Sequence, residues 1–131
     1  RTAVCSRPTV IEGIGRPRVE PGFLFEIVDE VVEVADVESI AAMQVLERHL
    51  GRRYGGSSGT NLVACLRLAV RMRARGERGS IVSLLCDPGE RYDATLSNLD
   101  WLRRNGLEPA AAADALRATI ASGRWHPSTD D

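Results

Sequence analysis

The sequence predicts an α/β domain, and three observations carry that expectation. Apolar residues recur near a 3.6-residue period in several separate stretches, the pattern of helices with one buried face. Between them lie a short β-branched piece, VVEV at 31–34, and a nearly continuous apolar run, SIVSLLC at 80–86, of the kind found in strands covered on both faces of a parallel sheet. The two kinds of segment alternate along the chain, which is the order of a layered α/β fold with parallel strands. At 131 residues, 44% of them apolar and 27% charged, the chain has material for one domain with a proper core.

Each element follows from its local text. Residues 1–22 hold Pro8, Pro17 and Pro21 with Gly13, Gly15 and Gly22, and residues of these types stop helices and mark loops. Residues 27–34 are rich in β-branched side chains and suit a short strand. Asp36 is placed to cap a helix that carries Val37, Ile40, Met43, Leu46 and Leu50 on one face, with Gly51 at its end. Residues 53–59, RYGGSSG, read as a short extended piece entering a turn, since glycine permits positive φ and hydroxyls bond nearby amides. A helix is expected over 61–75, with Leu62, Cys65, Leu66, Ala69 and Met72 on one face and Arg67, Arg71 and Arg75 on another, ended by Gly76. After the 80–86 strand comes the turn of Asp87, Pro88 and Gly89, then helices over roughly 92–104 and 109–122, the second opened by Pro109. Residues 123–131 form a polar tail apart from Trp125.

Composition excludes several functions. Seventeen basic residues against eighteen acidic ones leave a net charge of -1, no field for a polyanion, so nucleic acid is not an expected partner. All seventeen basic residues are arginine, so chemistry that needs a side-chain primary amine is excluded from this chain. Cys5, Cys65 and Cys86 are odd in number and widely spaced, which suits neither a disulfide framework nor a zinc site. They are expected as free thiols in a reducing cytoplasm, Cys65 and Cys86 as buried packing residues. His49 and His126 lack the spacing of a metal pair, and no run approaches the ~20 apolar residues of a membrane span. The Arg67, Arg71 and Arg75 stripe is expected to be a solvated helix face.

In an open α/β sheet, ligands bind beyond the carboxyl ends of strands. Two segments meet that condition. GGSSGTN at 55–61 sets Ser57, Ser58 and free amides at a helix start, where an anion or a cofactor acceptor can be held. DPGERY at 87–92 supplies a carboxylate, a tight turn and an Arg–Tyr pair. A third segment, IEGIGRPR at 11–18, has glycines that allow close backbone approach or hinging. Taken singly, each is an ordinary cap, turn or connecting loop.

Taken in order, IEGIG, then a Glu–Val strand and an alanine-containing helix, then GGSSGTN, then an apolar strand running into GERY, the chain resembles the C-terminal part of the cysteine synthase family of fold-type II pyridoxal phosphate (PLP) enzymes, which includes cystathionine β-synthase. The resemblance runs from about Ile11 to Thr95. The ending DWLRRNGL…SGRW is similar to the actinobacterial cysteine synthase-like and cysteine desulfhydrase branch and extends it to Trp125. It implies that residues 1–131 are one C-terminal portion of a large domain, with 1–22 as its active-site loop region, a partial three-layer α/β/α piece of the tryptophan synthase β-like fold. It implies β-elimination or β-replacement on cysteine or an activated serine, in a cytoplasmic homodimer acting on a small amino acid. By position, the resemblance assigns Ser57 to the pyridine nitrogen of PLP. Gly56, Ser58, Asp87 and Tyr92 are set beside the cofactor, and Gly13, Ile14 and Gly15 in a loop that closes on substrate. Pro88 departs from relatives that often have serine there, removing a backbone N–H. The family's PLP-binding lysine, substrate-carboxylate loop and phosphate cradle all precede the matched part, so this chain alone is expected to be inactive and a piece of something longer. The alternative is a non-catalytic α/β piece with a binding role or none.

Overall fold

Among the described residues, four α-helices carry the structure: α1 Asp36–Leu50, α2 Gly56–Ala74, α3 Leu99–Arg104 and α4 Ala110–Ser122. The computed structural model describes residues 8–14 and 20–128. α1 packs along α2, and α4 lies mainly against α1. The seam between α1, α2 and α4 is built from small residues, Ala41, Ala42, Ala112 and Ala113, with Val45, Val63 and Leu116 filling the space between them. Small side chains let helix axes approach closely, and Gly59 marks the tightest point, where a Cβ would collide with the backbone carbonyl of Ser39. A second cluster, Ile11, Ile40, Met43, Tyr92, Leu96 and Leu102, fills the other side of α1.

Helix ends follow simple chemistry. Gly51 and Gly123 adopt left-handed conformations, φ 65° each, and end α1 and α4. At Gly76, φ 67°, the N–H of Glu77 turns back to the Met72 carbonyl, 2.9 Å. Two expected starts are corrected. α2 begins at Gly56, five residues before the expected Asn61, so the glycine–serine text is its first turn and not a loop before it. α3 begins only at Leu99, where Asn98 Oδ1 accepts from the Trp101 N–H at 2.9 Å; residues 89–92 form a separate 3-10 turn in place of the helix expected from Tyr92. Both departures have one cause: close tertiary contacts outweigh local propensity.

The domain is helix-rich, and the parallel sheet expected from the sequence is absent among the described residues, where the β pairing is an isolated antiparallel bridge between Tyr54 and Pro88. Residues 80–86 belong to no helix or strand, and Val82 and Leu84 stand 90% and 74% exposed. A strand becomes one only by pairing, and among the described residues this run has no neighbouring strand to pair with. It is pinned instead by side chains of α2: Ser58 Oγ accepts from the Cys86 N–H at 2.7 Å, and Asn61 Nδ2 donates to the Leu84 carbonyl at 3.0 Å. Cys86 is therefore exposed, contrary to the buried role expected, while Cys65 is half-buried.

The strand expected over 27–34 is likewise a 3-10 turn, Phe25–Ile27, followed by extended chain. Two arginines of α2 hold that chain down. Arg67 donates to both carboxylate oxygens of Glu38, at 2.8 and 2.9 Å, and to the Glu33 carbonyl, with the Trp125 ring 5.0 Å from its guanidinium carbon. Arg71 forms a fork with Glu30, 2.5 and 2.6 Å, which pulls the Glu30 carboxyl below its ordinary range. Arg71 and Arg75 are exposed, as expected of a solvated helix face, while Arg67 is half-buried in its contacts, and Trp125 in the polar tail packs back on the core.

Exposed apolar side chains, Phe23, Leu24, Phe25 and Ile27 at one place and Val82, Leu84 and Leu85 at another, make association the expected behaviour of the isolated chain. Light scattering after size exclusion should show species larger than a monomer, growing with concentration. A monodisperse, cooperatively melting monomer would contradict this. Among the described residues no helix is long and apolar enough to cross a membrane.

Candidate functional site

The three segments singled out in the sequence meet at the head of α2. Residues 53–55 and 87–89 run past each other as a short bridge, in which Gly55 N–H donates to the Asp87 carbonyl at 2.9 Å and Gly89 N–H to the Arg53 carbonyl at 3.0 Å. Pro88 sits between these two bonds, opposite Tyr54. Its missing N–H therefore costs the bridge nothing. Gly89 is needed for the approach, because a Cβ there would lie 2.5 Å from the Arg53 Cβ.

The third segment closes the other side. Ile11 is buried and lies on Gly56, where a Cβ would meet its Cδ1 at 2.8 Å and Leu96 Cδ1 at 3.0 Å. Asp36 holds this loop in place: one carboxylate oxygen accepts from Thr9 Oγ1 at 2.5 Å and the other from the Val10 N–H at 2.8 Å. It was expected to cap α1, but Ala35 is the cap residue and its N–H is taken by Glu38 Oε2 at 3.1 Å. Gly13 has φ 82°, a conformation that favours glycine, and Ile14 packs at the edge of the Ile11 cluster. Gly15, and also Cys5, lie outside the described residues.

Of the residues expected beside a cofactor, the structure separates Ser57 from the rest. Gly56 is buried under Ile11 and Leu96. Ser58 is fully buried and committed to Cys86. Tyr92, 3% exposed, turns its hydroxyl inward to Asp87 Oδ2 at 3.2 Å and lays its ring on Gly55. Burial, and after it the hydrogen bond to Asp87, pushes the Tyr92 phenol above its ordinary pKa, so it remains a proton donor. Ser57 alone is half-buried with a side chain that makes no hydrogen bond among the described residues. A neutral hydroxyl at a fixed helix start, free to donate or accept one hydrogen bond, fits a heteroaromatic nitrogen.

Among the described residues, one cleft of 310 Å³ borders the 53–55 and 87–89 bridge and is lined by residues including Glu47, Arg53, Tyr54 and Pro88, and another of 490 Å³ lies between the 30–33 segment, α2 and Trp125; neither is lined by Ser57. In their walls Arg53 is paired with Asp93 at 2.5 Å and Arg71 with Glu30. Sequence reasoning missed Asp36 as the tether of the 9–14 loop and Ile11 as its plug. The contacts span 26 and 27 residues, and no local pattern announces them.

Comparison with known proteins gives a consistent set of relatives. No protein-family model matches the chain. L-cysteine desulfhydrase Cds1 of Mycobacterium tuberculosis is 49% identical over 115 residues, 88% of this chain and 31% of that protein. Cysteine synthase 2 of Schizosaccharomyces pombe is 36% identical over 77% of this chain and 25% of its own length. N-(2-amino-2-carboxyethyl)-L-glutamate synthase of Ralstonia nicotianae is 36% identical over 81% of this chain and 30% of its own length. The chain thus spans 31% or less of the length of each of these three relatives.

Proposed function

Over the segment it spans, the chain belongs to the cysteine synthase family, and from that premise we propose that it forms part of a PLP-dependent enzyme catalysing β-elimination or β-replacement on L-cysteine or an activated L-serine. The single observation that carries the site is the half-buried Ser57 hydroxyl, without a hydrogen-bond partner among the described residues, at a helix start bracketed by the 9–14 loop and the 86–92 turn. The small amino-acid substrate, a homodimeric assembly and completion of a parallel sheet along residues 80–86 belong to the same proposal. So does the place of residues 1–131 as a single C-terminal portion of a larger catalytic domain. No observation favours the non-catalytic alternative.

When bound, PLP supplies an electron sink for breaking bonds at the α and β carbons of an amino acid. The residues of this chain set how strong that sink is. Ser57 would hold the ring nitrogen with a hydroxyl that carries no charge, so it offers no counter-charge to a protonated ring. An aspartate in its place would. A weaker sink suits loss of a β-substituent and disfavours transamination and racemisation. Gly13 and Ile14 would close over the substrate from the Asp36-anchored loop and keep water out.

The test is Ser57→Ala and Ser57→Asp in the complete enzyme. The alanine variant should bind PLP less tightly by about 0.5–1.5 kcal/mol, the worth of one neutral hydrogen bond. The aspartate variant should keep the cofactor, shift its visible absorbance and lose β-elimination rate. Unchanged cofactor affinity in Ser57→Ala together with an unchanged spectrum in Ser57→Asp would remove Ser57 from the site.

A further inference from the structure

We propose that Tyr92 is a positioning residue for Ser57, acting from beneath the helix start through Asp87 and Gly55 without touching the cofactor. The inference rests on the Ser57 reading above and deepens it.

Four consecutive residues make up the head of α2, and three of them are fixed from outside it. Gly55 is held by its N–H on the Asp87 carbonyl, 2.9 Å, and by the Tyr92 ring, which approaches so closely that a Cβ on Gly55 would lie 2.5 Å from Tyr92 Cε2. Gly56 is backed by Ile11 and Leu96, and Ser58 is tied to the Cys86 N–H. Ser57 is the one left open, and its direction is set by its clamped neighbours. Asp87 is the common piece: its carbonyl accepts from Gly55 while its carboxylate accepts from the Tyr92 hydroxyl at 3.2 Å. The phenol thus orients the residue whose backbone anchors the turn, and its ring sets how deep the turn can sink. Glu12 and Arg91, the other charges facing the phenol, are more than half exposed and pair with each other at 3.7 Å, and Arg91 also stands 4.0 Å from Asp87 Oδ2. The hydrogen bond from the phenol, at 3.2 Å, is the shorter contact on that carboxylate oxygen and the one made from the buried side.

The experiment is a double-mutant cycle on PLP affinity in the complete enzyme, read by titrating the cofactor-free protein, with the melting temperature followed in parallel. Tyr92→Phe keeps the ring against Gly55 and removes only the hydroxyl, so the fold is retained. Tyr92→Phe should weaken PLP binding about threefold to tenfold, the equivalent of one hydrogen bond. In a Ser57→Ala background the same change should have almost no further effect, because a residue that acts through Ser57 cannot act once that hydroxyl is gone. A purely structural tyrosine would lower the melting temperature and weaken PLP equally in both backgrounds. That additive result, or full affinity in Tyr92→Phe while Ser57→Ala is impaired, overturns the inference and leaves the Ser57 reading standing. A Ser57→Ala variant with unimpaired affinity also overturns the inference, and an unchanged Ser57→Asp spectrum beside it overturns the Ser57 reading as well.

Discussion

Replacing Gly59 with alanine is expected to destabilise the helical core strongly. At this position α2 crosses α1 with no room for a side chain: a Cβ would strike the Ser39 carbonyl oxygen and stand 3.0 Å from the Ser39 carbonyl carbon and 3.2 Å from the Met43 nitrogen. The obstructing atoms are helix backbone and cannot rotate away, so the two axes must separate. Separation would open the Ala41, Ala42, Val45 and Val63 seam and weaken the Ser39–Thr60 hydroxyl pair, now 2.8 Å apart. Overpacking of a tight contact costs about 3 kcal/mol, a large share of the roughly 5–15 kcal/mol that holds a domain folded. A markedly lower melting temperature, followed by the far-UV helical signal, and a lower soluble yield are the expected readout. A Gly59→Ala protein with an unchanged melting curve would show that the helices cross elsewhere.

The 131-residue chain on its own, mixed with PLP and L-cysteine, is expected to release no sulfide and to show no visible band of a covalently held cofactor. It contains no lysine, so it has no side-chain amine able to condense with the PLP aldehyde, and Ser57 offers a hydrogen bond in place of a covalent link. The magnitude expected is complete loss relative to an enzyme that carries such a lysine. Sulfide detection against a buffer control and an absorbance scan decide the matter. Sustained turnover by the purified chain would mean that the chemistry does not depend on a lysine.

How much of this was legible in the sequence depends on how far apart the interacting residues lie. The ends of α1, α2 and α4 were readable at Gly51, Gly76 and near Ser122, because a glycine that ends a helix needs only its own backbone freedom. The meeting of IEGIG, GGSSG and GERY was readable only as a family resemblance. The bridge that joins two of them is made of backbone groups at Arg53, Gly55, Asp87 and Gly89 and leaves no mark in side-chain periodicity. The strands were over-read, since apolar β-branched text shows fitness for a sheet without supplying the neighbour that makes one. The α2 start was under-read because Gly55, Gly56 and Gly59 have poor helix propensity, and their value lies in the close packing of Tyr92, Ile11 and α1 upon them. Asp36 was misassigned because a carboxylate at a helix start usually caps, and here it reaches back to Thr9 and Val10.

The pinning of residues 80–86 by two side chains of α2 divides the molecule into tiers of protection. Amide protons inside α1, α2 and α4 are locked in helical bonds and exchange with water only when the core opens. Between residues 81 and 85 no backbone-to-backbone hydrogen bond is formed among the described residues, so exchange there needs no cooperative event. The Cys86 amide, closed by the buried Ser58 hydroxyl, stands at the border between the two tiers. A protease meeting the isolated chain finds its extended substrate at that run, with Val82 and Leu84 already presented to solvent.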